Sequence, residues 1–359
     1  MTSNLSRRDL LQAGVGALVL TAAAERAMAN APAPFPESSG IVDRSAVSLI
    51  RGDDRRQNAY DALCAIDRQL IPALKRKKYV VIKPNIVSTD NQLASTHPDA
   101  LRGILDYLSE RFHGPVVIAE SSAGETMKGF ENFGYPQVAS EYRKLNVSLL
   151  DLNAEGTYET ASILDADLHQ KNVRLAARLL DPQAFILCTP MLKTHNTVVA
   201  TLSVKNMVLG APLHQGPKET VKWNDKRVFH GGVRQTHFDM LLAAQRLRPY
   251  WGATLIDGFV GMEGDGPGSG TPVDSRIAIA STDYVAADRV GIEAMGIKAE
   301  NIGYLLYCWQ AGVGQYDLNK IDVIGEKLAA VRKPYRLHHD IDKELKWMGT
   351  MTEVPAQLG

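Results

Sequence analysis

The sequence predicts an α/β fold: a mostly parallel sheet with helices on both faces. Three observations carry this. Short apolar runs recur without polar alternation, as strands buried on both faces require. Longer stretches with apolar side chains at helical spacing lie between them. The two kinds of segment alternate along the chain, with no internal repeat and no heptad run, which is the pattern of strand–helix–strand units.

Taken in order, residues 46–50 form the first strand candidate. Residues 58–74 follow as a helix, with Ala59, Leu63, Ile66 and Leu70 on one face. Residues 79–82 read as a strand. Residues 98–112 read as a helix that starts at His97-Pro98 and repeats Leu101, Ile104, Leu105 and Leu108. Strand candidates follow at 116–119, 147–150 and 184–188. Residues 198–208 are expected to be a helix ended by Gly210, and 238–247 another. Strands at 254–256 and 277–280, a helix at 285–295 and a late strand at 321–324 complete the order. Residues 211–232 are polar and rich in Gly, Pro, Lys and His. A loop of that length in a compact domain is usually a functional lid or flap.

The ends read differently. Residues 1–29 have the form of a twin-arginine export leader: Ser6-Arg7-Arg8-Asp9-Leu10-Leu11, an apolar run over 13–24, and a small-x-small site at Ala27-Met28-Ala29. That run is shorter than the roughly 20 apolar residues a bilayer span needs, so no stable membrane span is expected after cleavage. Residues 30–43 read as a linker, 44–350 as a single α/β domain, and 351–359 as a tail. Two lobes around a crevice, with a boundary near residue 180, are the alternative internal division.

The chain has 40 basic and 40 acidic residues. A leader with three basic and two acidic groups leaves 37 against 38 after cleavage. No basic excess points to nucleic acid. Cys64, Cys188 and Cys308 share no metal-ligand spacing, which disfavours a cysteine-ligated iron–sulfur cluster.

Polar motifs gather at the carboxyl ends of predicted strands. Lys83-Pro84-Asn85, Glu120-Ser121-Ser122, Lys193-Thr194-His195 and Asp257-Gly258 each follow an apolar run. If the strands are parallel neighbours, all four motifs open on one crevice, where open α/β sheets bind ligands. His195, Lys193 and Lys205 are the catalytic candidates: a histidine for proton transfer and lysines whose charge is crowded. Lys83, Asn85, Asn206, His230, Gly264 and Gly266 are the ligand-binding candidates. Asp257, Glu263 and Asp265 are the residues that could hold a divalent metal. His214, His230 and His237 form a second possible ligand group, without a recognised metal motif. Ser281-Thr282-Asp283 has the form of a helix cap, and Asp288, inside an alanine-rich helix, needs a buried partner.

These motifs, together with Thr96-His97-Pro98, Ser203-Val204-Lys205-Asn206 with Gly210, and Glu263-Gly264-Asp265-Gly266-Pro267 with Gly270, resemble the domain of unknown function 362 family. Some of its members carry an appended iron–sulfur ferredoxin segment. This chain lacks those cysteines, so that electron-transfer role is not carried over. A more distant likeness is to the nickel-pincer lactate racemase group, and no residue is assigned from it. The expectation is an exported enzyme acting on a small anionic or polyhydroxylated molecule, with a metal or cofactor of unknown identity. Its partners would be that small ligand and, during export, the twin-arginine translocase. The alternative is a non-catalytic periplasmic anion-binding protein.

Overall fold

The computed structural model describes residues 43–349. The leader, nearly all of the linker, and the tail lie outside the described residues. Strand β1 (Ser45–Arg51) leads into α1 (Arg55–Cys64), whose first turn is capped by Asp54 accepting from the Gln57 N–H. The expected single helix over 58–74 is two helices, because the chain turns at Ala65-Ile66 before α2 (Asp67–Leu74). The turn lets Leu63, Ile66 and Leu70 all reach the same core.

Strand β2 (Tyr79–Pro84) precedes α3 (Pro98–Arg111). The start of α3 is fixed by Pro98 and by the His97 ring, whose Nδ1 accepts from the Asp99 N–H at 3.1 Å. Strand β3 (Val116–Glu120) is followed by α4 (Thr126–Asn132), α5 (Tyr135–Glu141) and β4 (Val147–Asp151). A two-stranded sheet, β5 (Tyr158–Leu164) with β6 (Gln170–Ala176), comes next and was not expected from the sequence. Its apolar alternation is confined to Ala161/Ile163 and Val173/Leu175, so the pattern is too short to stand out.

Strand β7 (Ala184–Thr189) meets Pro190, and β8 (Met191–His195) continues beyond it. Strand β9 (Val199–Thr201) hairpins back on β8. The expected helix over 198–208 therefore begins only at α6 (Ser203–Gly210), since Val198, Val199 and Thr201 are β-branched and suit the hairpin. After residues 211–232 come α7 (Val233–Leu247), the long β10 (Trp251–Glu263), β11 (Thr271–Ser281), α8 (Tyr284–Ala294), α9 (Gly303–Gln310) and β12 (Ile321–Gly325). The expected cap on α8 is present: Asp283 accepts from the Ala286 N–H at 3.0 Å.

The main sheet runs β12-β1-β11-β10-β7-β2-β3-β4, with β8 and β9 extending it beside β10. Neighbours are parallel except where β11 meets β1 and β10 and where β9 meets β8. It is a mixed α/β fold with a large, mostly parallel sheet. Two apolar layers fill its faces. In β7, Ile186 and Cys188 enter one layer while Phe185 and Leu187 enter the other. That is why an unbroken apolar run is needed there. Among the described residues no helix is long and apolar enough to cross a membrane.

Candidate functional site

The parallel register sets Ile82 opposite Ile118, so β2 and β3 end together. Lys83 is the penultimate residue of β2 and Glu120 the last of β3. Lys83 is fully buried, and its Nζ lies 3.1 and 3.0 Å from the two Glu120 carboxylate oxygens. It also donates to Asn206 Oδ1 (3.3 Å) and the Pro84 carbonyl (3.2 Å). A buried ammonium needs this much satisfaction to remain charged.

Helix α6 is held from below by Asp288 of α8. The fully buried Asp288 carboxylate accepts from the Ser203 N–H at 2.6 Å and the Val204 N–H at 2.9 Å. It thus satisfies first-turn donors that no local residue caps. Burial pushes its pKa up to about 7. The anchored first turn carries Lys205 and Asn206, and the last residue of the helix is Gly210. A Cβ on Gly210 would overlap Lys83 Nζ, so a larger residue there would have to displace the buried ammonium from its ion pair.

Above the pair lies a cavity of about 660 Å³. Its walls include Asn85, Glu120, Ser121, His195, Lys205, Asn206, Lys226, Arg227, His230 and Pro267. Lys205, Lys226 and Arg227 give it a basic lining, and Glu120 is already bound to Lys83. Burial, with Lys83 beside it, lowers the Lys205 pKa to about 8. Burial lowers Lys226 to about 7, Lys83 and Lys205 adding to the effect and Glu120 opposing it. Lys226 Nζ donates to Ser121 Oγ at 2.8 Å.

The two histidines have opposite tautomers, set by backbone partners. His195 Nδ1 accepts from the Thr197 N–H at 3.1 Å, with the Val198 N–H at 3.4 Å, so neutral His195 carries its proton on Nε2. His230 Nδ1 faces the Lys226 carbonyl at 2.8 Å and must donate to it, which leaves Nε2 as a free acceptor. Burial first, then the neighbouring Lys205, holds the His195 pKa well below the ordinary value; burial lowers His230 as well. His195 is therefore a neutral N–H donor at neutral pH, and His230 a neutral acceptor.

Other expected site residues stand elsewhere. Lys193 is fully buried and does not line the cavity; its Nζ donates to the Ala94 carbonyl at 2.7 Å. Lys83 lies beneath the cavity wall. Asp257 sits within β10 rather than at a strand end and pairs with Arg55 of α1 at 3.3 Å. Glu263 accepts from the Arg336 N–H at 2.9 Å, and Asp265 meets His339 Nδ1 at 2.9 Å. Asp257, Glu263 and Asp265 thus each have a separate partner and do not share a ligand cluster; Asp265 instead groups with His338 and His339. The Gly264 N–H donates to the Arg336 carbonyl and the Gly266 N–H to the Gly264 carbonyl, so neither points at a ligand. Gly266 serves close approach, since a Cβ there would overlap the Thr194 carbonyl. His214, His230 and His237 form no shared ligand group among the described residues. His237 is buried against Tyr304 and Trp347.

Lys226 is the functional candidate that sequence reasoning missed. It belongs to the helical turn Asp225–His230, inside the stretch expected to be a flap. The available signal was a lysine and a histidine close together in a stretch rich in basic residues, Lys226 and His230, both of which line the cavity.

The family model described as "Domain of unknown function (DUF362)" matches residues 80–293. The chain belongs to this family. The DUF362 match contains every cavity-lining residue named above. A "Thylakoid-associated protein" from Synechocystis sp. is 25% identical over 215 residues, covering 59% of this chain and 61% of that relative. The alignment thus spans about three-fifths of the relative's length. A crystal structure of a Thermotoga maritima protein aligns with a TM-score of 0.42 at 8% identity, over 74% of this chain and 59% of that one.

Proposed function

We propose that this DUF362 protein is an exported enzyme that binds a small anion in the crevice and moves a proton on it. One observation carries the reading: Lys205 and Lys226 line the cavity, and among the described residues no carboxylate lies within 4.0 Å of either amine. Two desolvated cationic groups without a counter-charge are costly, and a bound anion offsets that cost. The anion would sit between the lysines. His195 would donate its Nε2–H to an oxygen gaining negative charge, and His230 Nε2, or Lys205 in its neutral form, would accept a proton. Export rests on the twin-arginine pattern of residues 1–29, and the thylakoid association of the relative is compatible with a location outside the cytoplasm.

The residues present do not make a metal centre from Asp257, Glu263 and Asp265, so no step is routed through one. The test is paired substitution. Lys205→Met should remove affinity for small anions such as sulfate, measured by calorimetry. His195→Ala should leave anion affinity within about threefold, roughly 0.7 kcal/mol, while abolishing turnover once a substrate is found. Unchanged sulfate affinity in Lys205→Met would sink the anion site. Full turnover in His195→Ala would remove His195 from the proton transfer, whereas sulfate binding by a wild-type protein that turns over no candidate substrate would favour the receptor reading over the enzyme.

A further inference from the structure

The amide network at the crevice wall specifies a second feature of the ligand. Lys83 can only donate, so its contact with Asn206 fixes the Asn206 oxygen toward the ammonium. The Asn206 amide nitrogen then faces the Pro84 carbonyl at 3.3 Å and Cys188 Sγ at 3.2 Å. Asn206 Oδ1 must also receive Asn85, which lies 2.8 Å away and can meet an oxygen only with its own NH₂. The chain of donors, starting at one buried ammonium, leaves no freedom to flip Asn85. Its Oδ1 is the atom left over.

That oxygen is buried and has no hydrogen-bond partner. Asn85 is 5% exposed and lines the same cavity as Lys205 and His195. An orphaned buried acceptor destabilises a fold unless something donates to it. The neighbouring wall groups are otherwise engaged or cationic: Lys226 is on Ser121, and Glu120 is on Lys83.

We infer that the crevice takes a hydroxylated anion, whose anionic group meets Lys205 and Lys226 while a hydroxyl beside it donates to Asn85 Oδ1. The inference rests on the anion reading given above. It narrows the ligand from any small anion to hydroxy carboxylates or phosphorylated polyols, which share this chemistry. A site built to pair a hydroxyl discriminates strongly against the analogue lacking it, because the buried acceptor is then left unpaired.

The experiment uses two matched pairs of probes and titration calorimetry on the full exported chain: tartrate against succinate, and glycerol 3-phosphate against propyl phosphate. The hydroxylated member of at least one pair should bind about tenfold tighter or better, and the pair that shows it identifies the anionic group. In Asn85→Leu that preference should vanish, with affinity for the matching deoxy probe kept within about threefold. Equal binding within both pairs overturns the hydroxyl inference but leaves the anion reading intact, and so does a preference that persists in Asn85→Leu. No binding of any probe to folded protein overturns both. The wild-type comparison decides even if the variant fails to fold.

Discussion

Glu120→Gln should destabilise the protein strongly although it changes almost no volume. The wild-type carboxylate lies 3.0 Å from Lys83 Nζ, and both side chains are almost wholly buried. Two unit charges at that separation attract by ~5 to 6 kcal/mol at an effective dielectric of about 20. The glutamine oxygen, Asn206 Oδ1 and the Pro84 carbonyl would still accept from the amine, so part of this is retained. Breaking one half of a buried pair typically costs ~3–5 kcal/mol, because the remaining charge stays buried without its partner. Urea unfolding followed by tryptophan fluorescence reads the loss as a lower midpoint at unchanged slope. The double variant Lys83→Met with Glu120→Gln should recover most of it, since no charge is then stranded. A loss under about 1 kcal/mol for Glu120→Gln, or a double variant no better than the single one, would refute the reasoning.

Gly210→Ala should cost ~1–3 kcal/mol by overpacking, and the cost should shrink sharply in a Lys83→Ala background, read by a double-mutant cycle. Asp288→Ala should cost about 2 kcal/mol or more, since two first-turn N–H groups of α6 lose their acceptor; urea midpoints measure it. Asp288→Asn should not restore the loss, because its NH₂ would face one of those donors. Stability should also rise as pH increases from 7 to 9.5. The folded pKa values of Lys205 (about 8) and Lys226 (about 7) lie below the ordinary 10.5, so the unfolded chain binds more protons across that window. A urea midpoint that falls over this interval in wild type, or an equal rise in Lys205→Met with Lys226→Met, would contradict that assignment.

Much of the architecture was legible because burial on both faces leaves a local mark. The run Ala184–Thr189 is apolar at every position but the last, and it could be read as a central strand without knowing its neighbours. The start of α3 at Pro98 and the cap at Asp283 were equally local, since a helix end is satisfied within a few residues. Asp288 was legible by half: a carboxylate in an alanine-rich helix demanded a partner, but the backbone of α6 that supplies it is far away in sequence. The continuation of β7 into β8 past Pro190 was hidden, because proline signals a stop. What rescues the strand is parallel pairing with β10, a non-local fact.

The residue sequence by itself determined the α/β class, the order of its main strands, and that lysine, histidine and asparagine side chains collect at strand ends. It did so because hydrophobic periodicity and helix capping act over a few residues. Only the tertiary structure decided which lysines face the cavity without a carboxylate partner. Lys83 is consumed by Glu120, 37 residues away on a parallel neighbour, and Lys193 is consumed by the Ala94 carbonyl, 99 residues away. Lys205 and Lys226 are left facing the cavity, together with one asparagine oxygen that has no donor. Charge and hydrogen-bond satisfaction are settled by neighbours in space, and no local pattern in the chain records them.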